Sequence, residues 1–339
     1  MRFKEAGLLG RLAGGCFLAL TVAAVVGTPS LVLAVDGVIE INQASAEAGG
    51  VTAGDSAGFP VTISEPGSYR LTGNLTIPDY YYYAITITSD DVTLDLNGFA
   101  ISGPVSCSGS GSSVVCSPSG AWHGINASGQ SRTVVRNGTV RGFTSIGIFL
   151  GSYGRVEHVV ATSNGGSGIN AGDRSVITDV TSASNGDSGI YLGNLARVTD
   201  STVTLNRSEG VLCGNGCILR NNASRLNGLR GFYAGDYSTI SNNVAESNEG
   251  NGIRAGNSAV VSLNSSSLNG ASGGSQIYAG SASLVTGNTV RNASTSGYAL
   301  SFLNATIGYS NNVIFAVGTG EVQNGTNLGQ NLCTGSPCP

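Results

Sequence analysis

The chain has 339 residues, of which 11% are charged and 6% aromatic, with 52 glycines and abundant Asn, Ser and Thr between short apolar runs. That composition excludes a helical protein, and 40% hydrophobic residues at regular spacing exclude a disordered one. Without its first 34 residues the chain holds 13 arginines against 19 acids and no lysine or methionine, a formal net charge of −6 that argues against nucleic-acid or anionic-membrane binding.

Residues 1–34 read as a secretory signal peptide. Arg2, Lys4 and Arg11 make a basic start, Leu12 to Gly27 an apolar stretch, and Val32-Leu33-Ala34 a small-residue cleavage site. A retained membrane anchor fits less well, because the apolar run falls short of about 18 residues and Thr28-Pro29-Ser30 interrupts its continuation. The mature chain is therefore expected to have no stable membrane span. Its six cysteines form three short-range pairs, Cys107 with Cys116, Cys213 with Cys217, and Cys333 with Cys338. An even count at local spacing suggests disulfides and a secreted or periplasmic location. The alternative is free thiols or zinc, and zinc is disfavoured because the pairs are far apart and only His123 and His158 could assist.

Residues 35–58 are assigned to an N-terminal cap. Val38 to Ala48 (VIEINQASAEA) has apolar residues at weakly helical spacing, which predicts a short amphipathic helix covering the open end of a stack of strands; Gly49 to Gly58 reads as a loop. From Phe59 the pattern changes to alternation, in β-branched runs separated by Pro66-Gly67, Gly73-Asn74, Asp90-Asp91 and Asn97-Gly98. Residues 104–122 break the pattern and read as an inserted loop pinned by Cys107 and Cys116.

From Gly147 to about Ser272 one 21-residue phrase recurs six times without insertion. Glycine opens it at Gly147, Gly168, Gly189, Gly210, Gly231 and Gly252 and returns four residues later at Gly151, Gly172, Gly193, Gly214, Gly235 and Gly256. A third column holds Asn164, Asn185, Asn206, Asn227, Asn248 and Asn269. Such a period means a stacked repeat in which each unit buries its apolar face against its neighbours.

Within a phrase, Ile148 and Leu150 and their equivalents should point inward, as should the columns begun by Val156 and Ala161. Three short strands per phrase then make a coil with three sheets, each coil pairing in parallel with the next at about 4.8 Å. The Gly151 column and the Asp/Asn column after it (Asp173, Asn194, Asn215, Asp236, Asn257) are expected to supply positive φ at the first bend. The Asn164 column is expected to stack its amides along the axis.

The segments PGSYRLTGNLTI (Pro66 to Ile77) and SDDVTLDLNGFAISG (Ser89 to Gly103), together with the GI-x-x-G coils after them, resemble the right-handed parallel β-helix proteins of the pectate-lyase-like superfamily. The resemblance covers roughly Phe59 to Val317. It implies an all-β fold, a right-handed three-sheet solenoid of about a dozen coils, over 59–317. Residues 318–339 read as an irregular C-terminal cap closed by Cys333 and Cys338. The resemblance also implies a polysaccharide or cell-envelope glycan as partner, and ligand groups on an outward strand face. That face is the stripe Phe149, Asn170, Tyr191, Leu212, Tyr233, Arg254 and Tyr278. Tyr191 and Tyr233, two coils apart at about 9.5 Å, would stack on sugars, with Asn170 and Arg254 bonding hydroxyls or a carboxylate. The plainer reading is that these aromatics merely favour β-structure.

Candidate catalytic groups are fewer. His158, Asp179, Asp200, Asn221 and Asn242 form a polar column in which two carboxylates one coil apart could serve as an acid and base pair; its continuation as Asn favours a turn ladder instead. Asp90, Asp91 and Asp95 belong to an early turn and outer face. His123-Gly124 beside Trp122 is similar to a fragment of the polygalacturonase signature, but the paired-Asp and Arg-x-Lys motifs are missing, as is the Asp-Pro-His-Asp of alginate epimerases. Arg220, Arg225 and Arg230 share a coil on different faces. No metal or cofactor is called for: calcium has no evident ligand cluster, and two histidines without a mature methionine disfavour copper. The expectation is an exported β-helix whose rigid surface binds polysaccharide, with catalysis not evident. A polysaccharide lyase or glycoside hydrolase acting on a long glycan, a uronic-acid one being one option, and a structural or adhesive solenoid are the alternatives.

Overall fold

The computed structural model describes residues 37–338 apart from 272, 294–296, 317–319 and 335. The expected signal peptide and the start of the cap lie outside the described residues. The remainder winds into coils of three short strands, each strand pairing in parallel with its equivalent in the next coil.

The first ladder runs from Val61–Ile63 through Ile148–Leu150 to Val322–Gln323, twelve described strands in all. The second begins at Val38–Ile41 and the third at Leu75–Thr76. Strands Val134–Arg141 and Arg155–Thr162 pass through both, so the second and third ladders form one 24-stranded sheet. The register repeats every 21 residues across the regular coils, as in Ile148 with Ile169 and Ile169 with Ile190. The four predicted inward columns are buried without exception, from Ile148 to Ile253, Leu150 to Ala255, Val156 to Val261 and Ala161 to Ser266.

The N-terminal helix is shorter than its sequence pattern suggests. Val38–Ile41 is a strand paired with Gly67–Leu71, because these β-branched residues find an open sheet edge that supplies their hydrogen bonds. Asn42 then caps the helix Gln43–Ala48, accepting from Ser45 N at 3.0 Å while Ser45 Oγ accepts from Asn42 N. The Gln43 amide bonds both Thr76 N and Thr76 O, so one side chain imitates a strand on the edge of the third ladder.

The bends also differ from expectation. The Gly151 column does not carry the positive φ; that falls two residues later, on Tyr153, Arg174, Leu195, Gly216, Tyr237 and Ser258. The glycines answer a close approach between coils instead. A Cβ on Gly193 would lie 2.7 Å from Asp173 N and 2.9 Å from Gly172 C. The second corner turns on a single left-handed residue, His158, Asp179, Asp200, Asn221 or Asn242, and the third on Ser163, Ser184, Leu205, Leu226, Ser247 or Leu268.

Directly after the third corner the Asn column forms a buried ladder. Each backbone N–H and each Nδ2 donates to Oδ1 of the asparagine in the next coil, as in Asn206 to Asn227 at 3.1 and 3.0 Å. Each Nδ2 also reaches a carbonyl in the preceding coil, Val203 O for Asn227. The ladder ends where Gln276 Oε1 accepts from Asn269. A second buried ladder, at the second corner, runs Asn222, Asn243, Asn264, Asn288, Asn312 and Asn331 with N–H to Oδ1 distances of 2.9–3.0 Å.

All three expected cysteine pairs are disulfides. The inserted segment is a hairpin, Ser106–Ser108 against Val115–Ser117, with Cys107 opposite Cys116. It lies along the third corner. Its sulfurs sit 3.6–3.8 Å from Asn164 O, and Ser112 N at its tip donates to Glu249 Oε1 at 2.9 Å, four coils further on.

The amide ladder and the left-handed corner make opposite predictions for adjacent residues. Asn227→Ala removes the buried acceptor of the Asn206 N–H and of one Asn206 Nδ2 proton, whose other proton keeps Ser182 O, and should destabilise by about 3 kcal/mol. Leu226→Asn, at φ 55°, should stabilise by about 1 kcal/mol. Urea unfolding reads both, and an unaffected Asn227→Ala would show that the ladder does not hold the stack.

Candidate functional site

The outward residues of the first ladder stand where predicted, between the two buried columns. Their register is continuous: Phe149, Asn170, Tyr191, Leu212, Tyr233, Arg254 and Tyr278 are successive Cα partners. Six coil steps at about 4.8 Å give a stripe about 29 Å long.

Its far end is a cation–π stack. The Arg254 guanidinium lies 5.4 Å from the Tyr233 ring centre and 5.2 Å from that of Tyr278, and Arg230 lies 5.1 Å from Tyr233. The rings therefore face guanidinium groups, and their edges and hydroxyls are left to meet a ligand. Arg230 also pairs at 2.8 Å with Glu209, whose side chain is only 8% exposed. Arg254 has no carboxylate partner among the described residues. Tyr191 is 43% exposed and has no ring or cation partner among them.

The near end is aromatic. Phe149 meets the edge of His123 at 5.3 Å, His123 stacks on Tyr83 at 5.3 Å, and Trp122 packs edgewise on Tyr83 at 5.0 Å. Sequence reasoning missed Tyr83 and the grouping. The run Tyr80 to Tyr83 was the available signal, but Trp122 and Tyr83 meet only because the hairpin insertion returns the chain beside the earlier coil. His123 Nδ1 accepts from Ile146 N at 3.2 Å, so the neutral ring keeps its proton on Nε2.

The polar column lies elsewhere. His158, Asp179 and Asp200 turn the second corner, between the second and third ladders, and are not brought to the stripe. His158 Nε2 is 3.3 Å from Asp179 Oδ2, and Asp200 Oδ1 accepts from Asn221 Nδ2 at 3.0 Å, so the side chains bridge consecutive coils. The early acids do likewise. Arg132 grips Asp91 with two bonds of 2.5 and 2.7 Å, holding that carboxyl below its ordinary range, and Arg136 bonds Asp95 at 3.1 Å. Arg225 pairs with Glu246 at 3.0 Å. Among the described residues no three His, Cys, Asp or Glu side chains gather to hold a metal ion, and no helix is long and apolar enough to cross a membrane.

No protein-family model matches the chain, and comparison with curated proteins finds no match. Solved structures do match. The A-module of the mannuronan C-5 epimerase AlgE6 from Azotobacter vinelandii superposes with a TM-score of 0.51 at 13% identity, over 86% of this chain and 93% of that one. A double mutant of the periplasmic alginate epimerase AlgG gives 0.48 at 12% identity, over 80% and 71%. The chain is a right-handed parallel β-helix. At this identity the likeness concerns the fold, and the chemistry of this β-helix must be argued from its own residues.

The aromatic end of the β-helix carries a pH signature. Burial lowers the His123 pKa below its ordinary 6.5. The folded state thus binds fewer protons than the unfolded chain, and the contribution is complete above the unfolded value and lost as pH falls through the lowered one. Between neutral pH and about pH 5, the thermal midpoint should drop further in the parent protein than in His123→Gln. Parallel losses would mean that His123 does not titrate in this range.

Proposed function

We propose that this β-helix binds an acidic polysaccharide along the outward face of its first ladder, in an oxidising compartment outside the cytoplasm. The observation that carries the reading is Arg254. Its guanidinium is held between Tyr233 and Tyr278, lacks a carboxylate partner among the described residues, and keeps a fork of N–H donors suited to a uronate carboxylate. Because the flanking rings fix the fork in place, little conformational freedom remains to be lost on binding.

The rest of the stripe supports the same ligand. A length of about 29 Å suits several sugar units, Tyr191 offers an exposed ring, and Asn170 offers an amide for hydroxyls. The neighbouring epimerase module is named for mannuronan, a polyuronate, which agrees with the reading without carrying it. Three disulfides support export. No catalytic step is assigned, since the Asp179 and Asp200 carboxylates lie at another corner and Glu209 is engaged by Arg230.

Affinity electrophoresis in a soluble polyuronate and in a neutral glucan tests this. Arg254→Ala should weaken polyuronate binding about tenfold or more, leave the neutral glucan unaffected, and flatten the salt dependence. Polyuronate binding that survives Arg254→Ala would remove the reading.

A further inference from the structure

Glu209 is a buried acid on the flank of the stripe to which glycan binding gives no task. It and Arg230 stand directly before the opening glycines Gly210 and Gly231, at equivalent positions one coil apart. The same position holds Ser188 in the coil before and Asn251 in the coil after, so the register sets one acid against one base between neutral neighbours. Arg230 Nη1 lies 2.8 Å from Glu209 Oε1, and Ser188 Oγ lies 3.5 Å from Oε2. A carboxylate only 8% exposed needs a partner, and Arg230 supplies it.

The pair decides how much charge the stripe presents. Arg230 and Arg254 both lie beside the Tyr233 ring, 5.1 and 5.4 Å from its centre. Left alone, they would offer a polyanion two neighbouring cations. With Glu209 in place, Arg230 is half of a neutral pair and Arg254 is the one charge on the stripe, whose other residues are aromatic, aliphatic or amide. Arg174 and Arg207 belong to the first and third corners.

We propose that Glu209 is a specificity-determining residue. By neutralising Arg230 it limits the stripe to one carboxylate, and so selects an acidic glycan with isolated carboxylates, diluted by neutral sugars or masked as esters, over a fully charged polyuronate. This rests on the glycan-binding reading above and narrows its ligand. Such discrimination comes from what a site withholds. A fully charged chain laid along the stripe gives one carboxylate to Arg254, while its others meet rings, Leu212 or the Glu209 pair, on a protein whose residues 35–339 hold 13 arginines against 19 acids. A chain with isolated carboxylates makes the same ion pair and sets neutral sugar against Tyr191.

Polygalacturonate and the same polymer partly methyl-esterified share a backbone and differ in charge spacing, so affinity electrophoresis in each tests the proposal. The parent protein should bind the esterified polymer more tightly, a comparison that needs no variant. Glu209→Gln keeps an acceptor for Arg230 but frees its charge. It should raise affinity for the fully charged polymer about fivefold, shift the preference towards it and steepen the salt dependence. Adding Arg230→Gln to Glu209→Gln removes the second cation again and should return the parent preference and salt dependence, a rescue that a merely structural role would not give. A parent that prefers the fully charged polymer would overturn the role of Glu209. So would Glu209→Gln leaving preference and salt dependence unchanged while Arg254→Ala still weakens binding, and in both cases the glycan site stands. Binding of both polymers that Arg254→Ala leaves intact would remove the site itself, and this inference with it.

Discussion

The structure depends on one constraint: every coil must lie on the next at strand spacing, at all three corners at once. At strands this is ordinary parallel pairing, but at corners the backbone turns away and leaves amides without partners. The asparagine ladders solve that problem. Each buried carboxamide accepts two bonds from the coil before it and donates to the coil after it, so Asn206, Asn227 and Asn248 each satisfy a neighbour and are satisfied in turn. The same constraint explains the glycines, since any side chain in the Gly193 column would strike the preceding coil.

A scaffold held this firmly tolerates local strain. Leu195, Leu226, Leu263 and Leu268 occupy left-handed backbone that leucine ordinarily avoids, at about 1–2 kcal/mol each. The ladders on either side leave the corner no other path. The same rigidity separates fold from chemistry. Inward columns and corners are fixed by stacking, whereas the outward position of the first ladder changes from Phe149 to Asn170 to Tyr191 to Arg254 with no effect on register. A guanidinium can therefore sit between two tyrosines simply because their coils flank its own.

Much of this was legible from the repeat. The inward columns, the parallel coils and the Asn164 ladder come directly from period and alternation, and the cysteine pairs from their even count and local spacing. What the sequence concealed has physical causes. Val38–Ile41 has helical spacing and β-branched content together, and the edge offered by Gly67–Leu71 decides between them. The left-handed residues escaped because Tyr153, Arg174 and Leu195 share no chemistry: corner geometry selects their φ, and no one residue type marks it. The second ladder was hidden because its column begins as Val159, Val180 and Ser201 before turning to Asn222. The stripe was readable in order, but the cluster of Tyr83, Trp122, His123 and Phe149 joins residues that only the insertion brings together.

The two kinds of link between coils reflect what can stack on itself. The early coils differ in length and content, so unlike side chains face each other and ion pairs serve, as with Glu40 and Arg70, Asp91 and Arg132, and Asp95 and Arg136. Once the period settles at 21 residues, the buried corner columns repeat, while ion pairs persist only between unlike outward residues, as with Arg225 and Glu246 and with Glu209 and Arg230. A repeated charge would meet its own kind at about 4.8 Å, a repulsion of about 3 kcal/mol at an effective dielectric of 20. An amide has no such conflict, because it is donor and acceptor together. The corner column shows the change in progress: Asp179 and Asp200 lie one coil apart, but His158 Nε2 lies 3.3 Å from the first and Asn221 Nδ2 donates to the second, so each carboxylate has a polar neighbour on its outer side. Beyond Asn221 the column contains no further acid, and the coils after Arg254 dispense with charge almost entirely. The neutral end is thus the limit of a solenoid that comes to be held by self-complementary amides.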